Sequence, residues 1–176
     1  LWVANSGGFS RFDKKKKIFF NYASDPKDLR SITGEGVYFP IADPFDSNTL
    51  WVTTWGGGLN RMDKAEGTFT HYKHDPEEPN SLSDPKNILT AVVQDKDDPN
   101  ILWIGNWNAG MDKFDKAAGK VTRYVNVPGH PESLRKGGVF TIYDDGRGSL
   151  WVCGEASSNE GLARFDKTSG RFTNYT

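Results

Sequence analysis

Residues 50–64 read LWVTTWGGGLNRMDK: an apolar, β-branched run, a Trp with three glycines, then a second run. A phosphate cradle would need a helix behind the glycines and a Gly-Lys-Ser/Thr signature, so that amides and helix dipole meet the anion. Leu59-Asn60-Arg61-Met62-Asp63 alternates like a strand instead. The stretch therefore predicts two strands joined by a Gly-rich turn.

It recurs along the chain. Leu-Trp with a β-branched residue stands at Leu1-Trp2-Val3, Leu50-Trp51-Val52, Leu102-Trp103-Ile104 and Leu150-Trp151-Val152, at spacings of 49, 52 and 48 residues. Downstream comes a basic-apolar-Asp-Lys quartet, at Arg11–Lys14, Arg61–Lys64, Lys113–Lys116 and Arg164–Lys167. Six residues after each Asp is an apolar residue (Phe19, Phe69, Val121, Phe172), and nine after it a Tyr (Tyr22, Tyr72, Tyr124, Tyr175). Ser31, Ser81 and Ser133 follow nine further on. Fixed internal offsets of this kind mark a repeat protein.

Composition agrees with short strands pinned by aromatics. Apolar residues make up only 36% of the 176, while aromatics reach 13%, with six Trp and eleven Phe. A net charge of −1 gives no footprint for nucleic acid or an anionic membrane. Cys153 is the single cysteine, which excludes a disulfide framework and a cysteine metal cluster. No run approaches the roughly 18 apolar residues of a membrane span. The chain opens at Leu1 within a strand-like run, so it is expected to be an excerpt that continues on both sides.

Each unit resolves into four strands. The first covers Val37–Asp43, Ile88–Asp95 or Val139–Asp144 and is apolar enough to be buried on both faces. The Leu-Trp run is the second, the segment ending in Asp-Lys the third, and the Phe/Tyr segment the fourth. Hairpins with Gly67, Gly119 and Gly170 join the last two, where Lys17 replaces the glycine in the first repeat. Four antiparallel strands per unit of about 50 residues is the blade of a propeller. The expected fold is all-β, a β-propeller fragment of about four consecutive blades of four-stranded antiparallel sheets, the first blade lacking its innermost strand. The blades are expected at approximately 1–23 (incomplete), 37–73, 88–125 and 139–176.

The second repeat carries a resemblance: Leu50-Trp51-Val52, Gly57-Gly58-Leu59-Asn60-Arg61, Phe69-Thr70-His71-Tyr72 and Pro79-Asn80-Ser81-Leu82. It resembles the two-component regulator propeller repeat, found in sensor domains of hybrid histidine kinases, especially those of Bacteroidetes. The resemblance implies a periplasmic sensor that binds an oligosaccharide or a similar polysaccharide breakdown product and signals across the membrane. It further implies that kinase and effector parts lie outside these residues. Expected partners are that oligosaccharide, further blades of the same chain and a second copy in a homodimer. Nucleic acid, direct membrane insertion and a cofactor are not expected.

What every blade repeats is expected to be scaffold; what one blade does differently is a candidate for function. Asp13, Asp63, Asp115 and Asp166 are expected to hold their own hairpin amides, since hydrolysis needs two carboxylates at one site. Trp2, Trp51, Trp103 and Trp151 are expected to anchor blade packing. His71 and His74 flank Tyr72 on opposite faces of a strand and His130 stands in a loop, a poor set of metal ligands. The acidic stretches 43–48 and 95–100 lack the Gly and closing Glu of a calcium loop and are read as turns. Asp144-Asp145-Gly146-Arg147-Gly148-Ser149-Leu150-Trp151 is close to the Asp-box turn of sialidase-type propellers, which makes a secreted glycoside hydrolase or a non-signalling carbohydrate-binding propeller the alternative. No nucleophile elbow or catalytic triad accompanies it.

The loops between second and third strands vary in the way a binding surface does. Asn5, Trp55, Asn106, Trp107, Asn108 and Glu155 lie in them. Trp faces stack on sugar rings, and Asn or Glu satisfy hydroxyls. These six are the candidate ligand-binding residues, with binding and no catalysis as the segment's expected work.

Overall fold

The computed structural model describes residues 1–5, 8–154 and 161–175, with only the backbone of Asn5. Fifteen strands are described: β1 (Trp2–Asn5), β2 (Gly8–Asp13), β3 (Ile18–Tyr22), β4 (Gly36–Ala42), β5 (Thr49–Trp55), β6 (Gly58–Asp63), β7 (Thr68–Tyr72), β8 (Leu89–Gln94), β9 (Ile101–Asn106), β10 (Met111–Asp115), β11 (Lys120–Tyr124), β12 (Thr141–Asp144), β13 (Ser149–Cys153), β14 (Leu162–Asp166) and β15 (Arg171–Asn174). They form four antiparallel meanders: β1-β2-β3, then β4 to β7, β8 to β11 and β12 to β15. We number these blades 1 to 4. Blade 1 has three strands and the others four, in a propeller fragment of consecutive blades.

The core lies between blades. Phe9, Ile32, Leu50, Val52, Met62 and Phe69 fill the first seam. Trp51, Leu59, Leu82, Phe114 and Val121 fill the second. Trp103, Met111, Leu134, Phe165 and Phe172 fill the third. In the second and third seams the repeated Trp meets a Tyr of its own blade and the third-strand Phe of the next. Trp51 lies 6.0 Å from Tyr72 and 5.6 Å edge-on from Phe114; Trp103 lies 5.8 Å from Tyr124 and 5.2 Å edge-on from Phe165.

The first strands β4, β8 and β12 pack side by side. The expectation that all three are buried on both faces holds for β8 along Leu89–Val92. It fails for β4, where Tyr38 and Phe39 remain 40% and 52% exposed. β12 also alternates exposed and buried. The reason is position: β8 has a first strand on each side, while β4 and β12 have one such neighbour each.

The repeated Ser closes the connection between blades. Ser31 Oγ accepts the Asp25 amide at 2.9 Å, Ser81 Oγ that of Asp75 at 2.8 Å, and Ser133 Oγ that of Val127 at 3.0 Å. The closed loop then docks on the next outer strand, where Arg30, Asn80 and Glu132 carbonyls accept from Phe69, Val121 and Phe172 amides.

The four hairpins share one turn, in which residue 17, 67, 119 or 170 donates its amide to the Asp carbonyl four before it. Lys17 adopts it with φ +56°, where the other blades place Gly. A side chain in this left-handed region costs about 1–2 kcal/mol, against which glycine loses about 0.5–1 kcal/mol of chain entropy. Lys17→Gly should therefore raise stability by about 0.5–1 kcal/mol in urea unfolding. A loss of stability would mean that the lysine side chain supports the turn.

Candidate functional site

At the hairpin end, the repeated acids are committed to structure. Asp63 Oδ1 accepts the Ala65 and Glu66 amides at 2.9 Å, and Asp115 does the same for Ala117 and Ala118. Asp13 and Asp166 repeat the arrangement. These amide hydrogen bonds hold the carboxyls of Asp13, Asp63 and Asp166 below their usual range.

The acidic turns between first and second strands join neighbouring blades. Asp43 accepts from Trp51 Nε1 at 3.0 Å and from Lys116 Nζ of the next blade at 2.6 Å. Asp95 accepts from Trp103 Nε1 at 2.6 Å and pairs with Lys167 Nζ of the next blade at 3.0 Å. Burial pushes both carboxyls up, but these donors outweigh it and both end low. Lys167 also reaches Asp97 at 2.9 Å and Asp144 at 2.6 Å. Asp95, Asp97 and Asp144 bring their oxygens within 4.8 Å of one another, a spacing that suits a cation. The Lys167 ammonium already supplies that charge. In the Asp-box stretch, Asp144 and Asp145 accept the amides of Gly146, Arg147 and Ser149, so the box is a turn.

The opposite, Gly-rich end is built differently. Gly56 and Gly58 take φ +77° and +74°, and a Cβ on Gly58 would lie 2.3 Å from the Tyr72 carbonyl oxygen. The turn read from the three glycines is therefore required by close backbone approach. Just before it, Trp55 meets Trp107 of the next blade, ring centroids 5.2 Å apart at 70°. Tyr38 lies 6.0 Å from Trp55, and Phe140 lies 4.8 Å from Trp107. Four aromatic rings thus form a row across blades 2, 3 and 4, with Tyr38 exposed and the other three half-buried.

The six candidate residues do not share one fate. Trp55 and Trp107 come together, though edge to face and not as a flat shelf. Asn108 is exposed on the same loop as Trp107. Asn106 is fully buried, with Nδ2 3.4 Å from the Gly110 carbonyl and its own carbonyl accepting the Val139 amide. Its side chain serves the turn and does not reach the surface. Glu155 lies outside the described residues, as does the side chain of Asn5. His71 Nε2 and His74 Nδ1 each lie 2.7 Å from a carbonyl oxygen, of Ser31 and Leu82 respectively, at separate places in the fold.

Sequence reasoning missed Tyr38 and Phe140 because they stand in or before first strands, where aromatics read as core. It also missed the pair Ser83 and Asp112. Asp112 is 0% exposed, and its carboxylate accepts from the Ser83 amide at 3.0 Å and the Ser83 hydroxyl at 2.6 Å. Burial pushes its pKa up to about 6, against the Ser83 donors, the Asn106 side chain and the Arg123 charge. The available signal was the third-strand position itself, which reads Ser10, Asn60, Asp112 and Ala163.

No family model and no curated protein matches the chain. Solved structures do. The extracellular domain assigned to the hybrid two component system BT3049 of B. thetaiotaomicron aligns with TM-score 0.84 and 24% identity, over 99% of this chain and 23% of that one. Two structures of the BT4673 extracellular domain from the same organism, one assigned to a hybrid two component system and one to a one component system, align with TM-scores of 0.70 and 0.71. Identities there are 18% and 19%, over 99% of this chain and 22% of theirs. No described helix is long and apolar enough to cross a membrane. The chain therefore has the fold of a piece of these extracellular domains, spanning less than a quarter of each.

Proposed function

We propose that this segment is part of the ligand-sensing propeller of an extracytoplasmic hybrid two-component regulator, and that it binds an oligosaccharide or a similar polysaccharide breakdown product. The observation that carries the reading is the aromatic row Tyr38, Trp55, Trp107 and Phe140, which crosses three blades at the end where loops vary. Successive rings 4.8–6.0 Å apart present apolar surface along a line, which suits several linked sugar rings better than one. Exposed Asn108 supplies donors and an acceptor for hydroxyls. The likeness to extracellular domains assigned to two-component systems supports the sensing role and the location.

The carboxylates at the hairpin end are occupied by turn amides, indoles and lysines, so the segment works by binding. Screening glycan fragments by thermal shift on the intact ectodomain should identify a stabilising ligand. Trp55→Ala and Trp107→Ala should then each weaken its binding at least tenfold, about 1.4 kcal/mol. Both rings are half-buried, so a modest drop in melting temperature is expected as well. Normal affinity in both variants would remove the row as the binding surface.

A further inference from the structure

At the Gly-rich end of blade 3, a buried acid is wired to the loop that carries Trp107. Ser83 Oγ lies 2.6 Å from Asp112 Oδ1 and 3.2 Å from the Ala109 carbonyl oxygen. A serine hydroxyl has one proton, so it serves one of these acceptors at a time. An ionised Asp112 takes it, because a carboxylate only accepts and the charge-assisted bond is the stronger. A neutral Asp112 reverses the direction: its own O–H donates to Ser83 Oγ, and the serine proton turns to Ala109. One proton is added to the carboxyl, and only hydrogen bonds are exchanged.

Blade 2 holds the same device without the acid. Thr33 stands in place of Ser83, and its Oγ1 lies 3.1 Å from Asn60 Oδ1 and 3.0 Å from the Gly57 carbonyl oxygen. Asn60 occupies the position of Asp112 and cannot titrate. Ser10 and Ala163, at the same position in blades 1 and 4, do not change charge either. Blade 3 alone places an acid there, next to the loop with one of the two inner rings of the row.

We propose that Asp112 is a proton switch for the Trp107 loop: protonation hands the Ser83 hydrogen bond to Ala109 and fastens the loop, and ionisation releases it. Strands β11 and β9 and the connecting segment face the carboxyl. Arg123 lies opposite Asp112 on β11, its guanidinium held by the Ser81 and Leu82 carbonyls. Ile104, opposite on β9, is apolar, and Asn106 is neutral. On the connecting segment the neighbouring acid is Asp84, buried, with Oδ1 accepting the Lys86 amide. With its pKa near 6, Asp112 changes state across the range from pH 5 to 7.

The effect on ligand affinity rests on the binding reading above; the switch itself does not. Hydrogen exchange of the intact protein, followed by mass spectrometry at about pH 5 and about pH 7.5 and corrected for intrinsic exchange, reads it without any glycan. Amides of residues 106–110 should exchange about fivefold more slowly at the lower pH, the weight of one neutral hydrogen bond. The equivalent blade 2 loop, residues 54–58, should show no such difference. Asp112→Asn and Ser83→Ala should abolish the response, and Ser83→Thr should keep it, since Thr33 does the same job in blade 2. A flat wild-type profile, or a response that survives Ser83→Ala, overturns the switch. A failed glycan screen with a clear pH response would sink only the binding reading.

Discussion

Replacing Lys167 with Met should lower stability near neutral pH by about 3 kcal/mol, measured by urea unfolding. The ammonium sits among Asp95, Asp97 and Asp144, with its own side chain only 11% exposed and those of Asp95 and Asp144 5% and 3%. Removing one partner from a buried ion pair typically costs about 3–5 kcal/mol, because the remaining charge has neither water nor a counterion. Here two such charges would face each other. Asp97 is half-exposed and adds little. The lower end of the range applies because Asp95 retains the Trp103 indole and the Asp97 and Asp98 amides, and Asp144 the Gly146 amide. Methionine keeps the aliphatic stem, so the comparison isolates the charge.

The loss should shrink in acid. The folded-state pKa of Asp95 lies below its unfolded value, so its contribution is present above the unfolded value and is lost as pH falls through the folded one. Without Lys167 that carboxyl is protonated more readily, and the two proteins should converge below about pH 4. A variant within about 1 kcal/mol of wild type at pH 7 would show that these acids are solvated where they stand.

The lysine illustrates what the repeat revealed and what it hid. The offset pattern contained Lys116 and Lys167 in every reading of the quartet, yet their partners lie 73 and 72 residues earlier, in the preceding blade. Strand order, hairpins and the role of Asp63 were legible because each depends on neighbours within one blade. The Trp-Asp-Lys joint was not, because the residues that complete it meet only when blades stack. The recurrent Ser was visible without its role for a different reason: it closes a loop that belongs to no strand, so its offset carried no pairing partner. At the Gly-rich end, the matching positions of Trp55 and Trp107 could be counted, and they do meet. Their edge-to-face angle could not be read, nor could the burial of Asn106, since the turn hides Asn106 and exposes Asn108 on the other side of Trp107. That end also sets the balance between scaffold and function: the neutral Asn60 and the acidic Asp112 occupy one structural position and differ only in whether it responds to pH.

Asp112→Asn should make the protein more stable at pH 7.5, by up to about 3 kcal/mol. An unfolded aspartate titrates at 3.8, and the folded one at about 6. Between those values the folded state binds more protons than the unfolded state, so stability falls as pH rises through the window. Below it the carboxyl is neutral in both states and costs nothing; above it the cost is complete, roughly 1.4 kcal/mol for each of about two pH units. Asparagine removes the charge and retains an acceptor for the Ser83 amide and hydroxyl, as Asn60 does for Thr33 at 2.9 and 3.1 Å. The new amide hydrogens have a neighbour to meet in the Asn106 side chain, whose buried Oδ1 lacks a donor among the described residues. Unfolding free energies measured from about pH 4 to about pH 8 should therefore diverge, with the variant gaining over wild type as pH rises and the two agreeing in acid. Equal stability at every pH would mean that the ionised carboxylate is as well accommodated as the amide, and the buried acid would then have no strain to release.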